Sequence, residues 1–129
     1  MLRYGYFHAP APRLLIWGEP DDIARLYDGL AQLAAGEGPE ALTAIAGCQA
    51  VDGTTVLFET VGEAEGLLRD EVEPDVFHWQ VDAAGWYDFQ EQLEPLLHGR
   101  PGHRRLQSRG DEDIAVVASV GEYPDDYKP

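Results

Sequence analysis

A short pattern that occurs twice constrains the fold of this chain more than any other feature. Residues 22–28 and 82–88 share Asp, Ala, Tyr and Asp at the same places, and a Gln-Leu pair follows each copy after three residues. A short run that ends in Trp17 precedes the first copy, and one that ends in Trp79 precedes the second. We interpret this as the internal duplication of a strand–helix–strand–strand unit. Two copies are too few for a solenoid, so we expect them to share one core.

The duplication predicts an α+β fold, with a mainly antiparallel sheet and two helices on one face that are related by a pseudo-twofold axis. A length of 129 residues suits a single domain, which we place at residues 1–129. We expect unit one at about 13–61, an acidic connector at 62–75, unit two at about 76–120, and a C-terminal tail at 121–129.

Both helices are bounded by local signals. Pro20 and the acids around it are typical of a first helical turn, and Gly36 is expected to end that helix. Asp82 is the predicted N-cap of the second helix. Pro95 removes a backbone donor and should end or kink this helix near Glu94.

The strongest turn signal is the Asp52-Gly53 pair. It lies between two runs with strand propensity, 42–49 and 54–61, and such a pair predicts a β-hairpin. A later strand is expected at 114–119, where residues that are apolar on both faces indicate a central position in a sheet.

The chain is strongly acidic, with 24 acidic and 9 basic residues and a formal net charge of −15. This charge repels nucleic acid and anionic lipid and attracts basic proteins or cations, so we expect no nucleic-acid or membrane partner. The alternative is that the acidity only keeps a small domain soluble. The single cysteine, Cys48, and the lack of a signal peptide or of an apolar run of about 20 residues predict a cytoplasmic location.

The sequence contains no motif that specifies catalysis or a bound cofactor. It lacks a glycine-rich phosphate loop and a G-x-S-x-G motif, and its four histidines share no metal-ligand spacing. We expect His78 to be a hydrogen-bonded structural histidine in a strand, and Cys48 to be a small buried hydrophobe. The chain is therefore predicted not to be an enzyme, with no catalytic residue, no metal and no cofactor.

Unit one has the order strand, glycine, helix and β-hairpin, carried by Leu15-Ile16-Trp17-Gly18, residues 30–36 and Val56-Leu57-Phe58. Unit two, with residues 99–103 followed by residues 114–123, looks similar. This order resembles the small β-α-β-β immunity proteins of bacterial polymorphic toxin systems. The resemblance implies a non-enzymatic protein that binds and blocks a cognate toxin, and it carries over no binding residue.

Our leading hypothesis is a protein-binding domain of this immunity type, which neutralises a basic partner such as a toxin. Acidic side chains would steer the partner, and exposed tyrosines would contribute contact area. The candidate contact residues lie in a turn and in the tail: Asp111, Glu112, Asp113, Glu122, Tyr123, Asp125, Asp126 and Tyr127.

One segment, residues 98–109, is basic, with four arginines, two histidines and no acid. It suggests an alternative function, a small anionic-ligand-binding or sensor domain, although the same side chains could lie on an exposed strand and pair with neighbouring carboxylates. A third possibility is an uncharacterised structural or dimerisation domain, in which an edge strand at 2–8 pairs with another copy to form a homodimer. The candidate anion-binding residues are Arg100, His103, Arg104, Arg105 and Arg109.

Overall fold

The computed structural model describes residues 1–107 and 114–129, and it confirms the α+β class. In this part of the chain the fold has two α-helices, α1 Pro20–Ala34 and α2 Ala83–Leu93, and two short 3-10 helices, Leu42–Ala44 and Glu94–His98. The eight strands are β1 Leu2–Phe7, β2 Arg13–Gly18, β3 Cys48–Ala50, β4 Thr55–Thr60, β5 Gly66–Arg69, β6 Val76–Val81, β7 Gly102–Arg105 and β8 Ala115–Val120.

The strands form two mixed sheets. The first has five strands in the order β3-β1-β2-β8-β7, and the second has three strands in the order β4-β6-β5. The pairs β1/β2, β7/β8 and β5/β6 are antiparallel, whereas β1/β3, β2/β8 and β4/β6 are parallel. Two mixed sheets therefore replace the one mainly antiparallel sheet that we expected, and the acidic connector contains a strand, β5.

The hairpin predicted at Asp52-Gly53 is wrong, because the strands on its two sides belong to different sheets. The turn itself forms: Gly53 has a φ of 75°, and the Asp52 carboxylate accepts hydrogen bonds from the N–H groups of Thr54 and Tyr6. However, β3 extends the first sheet beside β1, and β4 pairs with β6 in the second. A turn motif predicts where the chain reverses, but it does not predict which strands the two flanking segments pair with.

The two units exchange their last strands. β4, the last strand of unit one, pairs in parallel with β6 of unit two, and β8, the last strand of unit two, pairs in parallel with β2 of unit one. β2 and β6 both have six residues, and each is separated by one residue from the helix that follows. The helices therefore begin 63 positions apart, at Pro20 and Ala83. The identical residues of the sequence repeat are 60 positions apart, so the sequence repeat and the structural repeat differ by three residues, about one helical turn.

The helix ends follow from local sequence. The first turn of α1 is closed by Asp22, whose carboxylate accepts a hydrogen bond of 2.9 Å from the N–H of Glu19. The predicted N-cap of α2 is confirmed, because the Asp82 carboxylate accepts a hydrogen bond of 2.9 Å from a backbone N–H of the first turn. α2 ends at Leu93, two residues before Pro95, as predicted.

One core contains the inner faces of both sheets and the buried faces of both helices. Its centre is aromatic, with Trp79 stacked on Phe58 and Phe89 and perpendicular to Trp86 at a ring distance of 5.5 Å. Cys48 is buried as predicted, and burial raises the pKa of its thiol to about 12. Within the described ranges, no helix has the length and apolar character needed to cross a membrane.

Candidate protein-binding face

The two sheets differ in what lies on their outer faces, which point away from the shared core. The tail, residues 121–129, folds back over the outer face of the five-stranded sheet, which we call the covered face. Tyr127 stacks on Phe7 at a ring distance of 5.1 Å, and Trp17 donates its indole N–H to the carbonyl of Pro124 at 3.1 Å. Trp17 is consequently only 2% exposed.

The tail residues predicted to meet a partner contribute to this cover to different degrees. Tyr123 is half-buried beside Trp17, at a ring distance of 6.3 Å. Glu122 accepts a hydrogen bond of 2.6 Å from the Ser119 hydroxyl at the end of β8. Asp125 forms an exposed salt bridge of 3.1 Å with an arginine of β1, and Asp126 is exposed. Three further predicted contact residues lie outside the described residues: Asp111, Glu112 and Asp113.

The outer face of the three-stranded sheet, which we call the open face, carries polar side chains that stay partly exposed. In the two parallel ladders the matched outward positions hold opposite residue types. Leu15 on the covered face corresponds to His78 on the open face, and Trp17 corresponds to Gln80. Apolar side chains at these positions give the tail a surface to pack on, whereas polar side chains favour contact with water or with a polar partner.

A carboxylate–histidine–carboxylate cluster lies at the centre of the open face. The Nδ1 atom of His78 on β6 lies 2.5 Å from Glu59 Oε2 on β4, and its Nε2 atom lies 2.7 Å from Asp70 Oδ1, just after β5. Gln80 donates a hydrogen bond of 2.8 Å to the second oxygen of Glu59. The cluster therefore links all three strands of the sheet through side chains.

The protonation state of His78 follows from this geometry. An ionised carboxylate can only accept hydrogen bonds, so the two contacts favour the imidazolium form of the ring, in which both nitrogens carry a proton. The hydrogen bonds to Glu59 and then to Asp70 raise the pKa of His78 above its ordinary value of 6.5. In return, the bond from His78, followed by that from Gln80, lowers the pKa of Glu59 below 4.5.

Asp70 also holds the loop that follows β5. Its second oxygen, Oδ2, accepts hydrogen bonds from the N–H groups of Val72 at 3.0 Å and Glu73 at 2.9 Å. The bond from the Glu73 N–H, followed by those from His78 and Val72, lowers the pKa of Asp70 from 3.8 to about 2. The carboxylate is therefore ionised at neutral pH, and it fixes a loop whose tip, Val72, is 83% exposed.

Acidic residues of the cluster and of the loop line the open face. The segment from β4 to the start of β6, residues 59–75, contains seven acidic residues and one arginine. Two apolar side chains are exposed among these acids, Val72 at 83% and Leu68 at 39%. The cluster, the loop and Leu68 line a cavity of about 440 Å³. Exposed apolar side chains with a charged rim are typical of protein contact surfaces.

The residues predicted to bind an anion lie elsewhere, at the edge of the five-stranded sheet. Arg100, His103 and Arg104 line a cavity of about 480 Å³ next to Glu122. Arg105 lies on the same strand, β7, but does not line this cavity. The structure thus brings three of the five candidates together. The fifth candidate, Arg109, lies outside the described residues.

Sequence reasoning placed His78 correctly as a hydrogen-bonded histidine in a strand, but it missed both carboxylate partners. Glu59 and Asp70 lie 19 and 8 positions from His78 in the sequence. The available signal was the alternation of β4 and β6, which places Glu59, His78 and Gln80 on the outward side. That signal becomes useful only when the pairing of β4 with β6 is known.

Comparisons with known proteins assign no family to this chain. No protein-family model matches it, and searches of the curated proteins and of the solved structures gave no match. The function is therefore inferred from the geometry and charge of the described residues.

Proposed function

We propose that this chain is a non-catalytic, acidic protein-binding domain of immunity type, which neutralises a basic partner such as a toxin by covering the partner's functional surface. The observation that supports this most is the open face, where Glu59, Asp70 and Glu71 line one cavity together with the exposed residues Leu68 and Val72. Its polar outward residues also distinguish it from the matched face of the other sheet, which the tail covers. A cytoplasmic location is part of the same proposal.

Charge supports a basic partner. The net charge of −15 creates a long-range field that attracts cations, and such a field raises association rates by steering the partner toward the acidic surface. At physiological ionic strength this attraction is screened beyond about 8 Å, so the partner must dock close to the carboxylates to benefit. Glu59, Asp70 and Glu71 line the same cavity as Leu68 and Val72 and meet that requirement.

The open face also offers contacts that electrostatics alone would not supply. Val72 projects from a loop, and Leu68 lies on the adjacent strand β5. A lysine or arginine of the partner can place its aliphatic stem along these side chains while its charged end meets Glu59, Asp70 or Glu71. Burial of such apolar centres inside a polar rim provides much of the affinity in protein interfaces.

The cluster prepares this surface in advance. His78 fixes the rotamers of Glu59 and Asp70, and Asp70 fixes the backbone of the loop that carries Val72. Side chains that are already ordered lose less conformational entropy when a partner binds, which favours tight binding. We assign the cluster this structural role in the interface.

The non-catalytic part of the proposal rests on the state of two potentially reactive groups. His78 has both nitrogens engaged by carboxylates, so neither is free to accept a proton from a substrate. The Cys48 thiol has a pKa raised to about 12 by burial, so it is a thiol rather than a nucleophilic thiolate at neutral pH.

The experiment is affinity capture of partners from a native lysate of the source organism at low and high salt, with two matched variants. The face variant carries Glu71→Gln and Glu73→Gln, and the tail variant carries Asp125→Asn and Asp126→Asn. Both remove two exposed negative charges, so they change the net charge equally. The retained proteins are identified by mass spectrometry and quantified.

We expect the wild type and the tail variant to retain one basic protein in stoichiometric amount at low salt. The face variant should retain markedly less of it, and high salt should release it from all three. Equal retention by both variants would contradict the role of the open face. If only the tail variant failed to retain the basic protein, the contact surface would be the tail and not the open face.

A further inference from the structure

The basic edge of the five-stranded sheet is a feature that the proposed function leaves unused. β7 is the last strand of that sheet, and His103, Arg104 and Arg105 on it are all exposed. Arg100 precedes this strand and lies on the same cavity as His103 and Arg104. In an acidic chain with only nine basic residues, two arginines and one histidine therefore line one cavity of about 480 Å³.

The arginines of the cavity differ from four of the other arginines that the structure describes. Arg3 and Arg25 form salt bridges with carboxylates, and Arg13 and Arg69 lie over aromatic rings at 5.0 and 4.9 Å. Within residues 1–107 and 114–129, the guanidinium groups of the cavity make no salt bridge. Among these residues, no carboxylate therefore engages the guanidinium groups of Arg100 and Arg104.

The backbone of β7 adds a donor to the same edge. Leu106 donates its N–H to Val116 of β8 at 2.8 Å, and the bonds of an antiparallel ladder alternate along each strand. The N–H of His103 therefore points away from β8, toward the unpaired edge. Main-chain N–H donors and planar guanidinium donors are the groups that recognise the oxygens of phosphate, sulfate and carboxylate.

One carboxylate limits this site. Glu122 lines the cavity, and its oxygens lie 2.9 and 3.0 Å from His103 Nδ1. Its pKa is lowered by the hydrogen bond from the Ser119 hydroxyl and then by His103, so it is ionised at neutral pH. It holds His103 at the cavity, but it also repels an incoming anion.

We propose that the cavity lined by Arg100, His103 and Arg104 is a binding site for a small oxyanion, separate from the open face and independent of the proposed protein-binding function. The two guanidinium groups and the His103 N–H supply donors to the anion oxygens. Inorganic phosphate, sulfate and small carboxylates share this chemistry, and the experiment separates them.

The experiment is thermal unfolding in sodium phosphate, sodium sulfate or sodium succinate, each compared with sodium chloride at the same ionic strength. For the anion that fits, an excess of about ten times its Kd should raise the Tm by about 4–6 °C. The double variant Arg100→Gln, Arg104→Gln should lose this rise, whereas Arg105→Gln on the same strand should keep it. Glu122→Gln should bind the same anion several-fold more tightly, because it removes the one negative charge that residues 1–107 and 114–129 place on the cavity.

An NMR titration of the wild type with the same anion provides a second measurement that does not depend on a variant. Amide shift changes should concentrate at residues 100–104 and 119–122. A Tm that responds equally to chloride and to all three anions would overturn the site. Equal Tm shifts in the wild type and the double variant, or amide changes centred elsewhere, would do so as well.

Discussion

The covered face and the open face lie at matched positions in the two units, but their outward side chains are of opposite types and the tail packs on the covered face. On the covered face, Leu15 and Trp17 point outward and the tail packs over them. On the open face, His78 and Gln80 take the matched positions and bind carboxylates instead. The exchange of last strands gives both faces the same framework, so the contrast comes from the side chains.

The difference is in what the outer faces of two similar frameworks contribute. One outer face buries apolar area, which stabilises the fold through the hydrophobic effect. The other keeps ordered carboxylates and exposed apolar side chains, which add little to stability and suit the contact of a partner. Substitutions at matched positions should therefore have unequal effects on unfolding.

The largest effect is expected from Trp17→Ala. This change removes a buried indole and its hydrogen bond to Pro124, and it should lower the free energy of unfolding by about 3–5 kcal/mol. The matched change on the open face, Gln80→Ala, should lower it by less than about 1 kcal/mol, because it removes one partly exposed hydrogen bond to Glu59. Urea unfolding of both variants measures the difference. Similar losses would show that the two faces contribute equally to stability.

A smaller effect is expected from Tyr127→Ala, which tests the tail as a cover. It removes the stacking on Phe7 and the edge contact with Trp17, and it should lower the free energy of unfolding by about 1–2 kcal/mol. Acrylamide should then quench part of the tryptophan fluorescence more strongly, because Trp17 becomes accessible while Trp79 and Trp86 stay in the core. Unchanged quenching together with unchanged stability would mean that the tail does not cover this face in solution.

The smallest effect, but the most specific, is expected from His78→Gln. The raised pKa of His78 means that its stabilising effect is complete below pH 6.5 and is lost as the pH rises through that raised pKa. The pKa values of Glu59 and Asp70 are lowered in the folded state. The stabilising effect of Glu59 is therefore complete above pH 4.5 and that of Asp70 above pH 3.8, and each is lost as the pH falls through the lowered pKa. The wild type should therefore exceed the variant in stability most clearly between pH 4.5 and 6.5.

Urea unfolding over a pH series measures this window, with Gln80→Ala as the control because it leaves both ring nitrogens of His78 engaged. We expect a difference below about 1 kcal/mol, since all three side chains of the cluster are partly exposed. A stability difference that stays constant across the pH series would refute the charged state of His78.

Features that depend on neighbouring residues in sequence were predictable. Pro20, Asp82 and Pro95 mark helix ends through their own geometry and hydrogen bonds, and the structure places them as expected. The central position predicted for residues 114–119 is also confirmed, because β8 lies between β2 and β7. Apolar residues on both faces of a strand predict that the strand is buried, and this prediction does not require knowledge of its neighbouring strands.

Features that depend on strand pairing were not predictable. Asp52-Gly53 makes its turn, but the choice of partners for β3 and β4 depends on packing across the whole core. The cluster of the open face requires β4 and β6 to be paired first, so its three residues carry no joint signal in the sequence. The packing of Tyr123 and Tyr127 likewise depends on an apolar surface formed by β1 and β2.

The most direct test of the central claim is the association rate between this chain and its captured basic partner, measured by stopped-flow mixing over a series of salt concentrations. The wild type and the tail variant should associate fast at low salt and slow steeply as salt rises, because the carboxylates of the open face steer the encounter. The face variant should associate more slowly and depend less on salt. A face variant with the rate and salt dependence of the wild type would contradict the assignment of the open face as the binding surface.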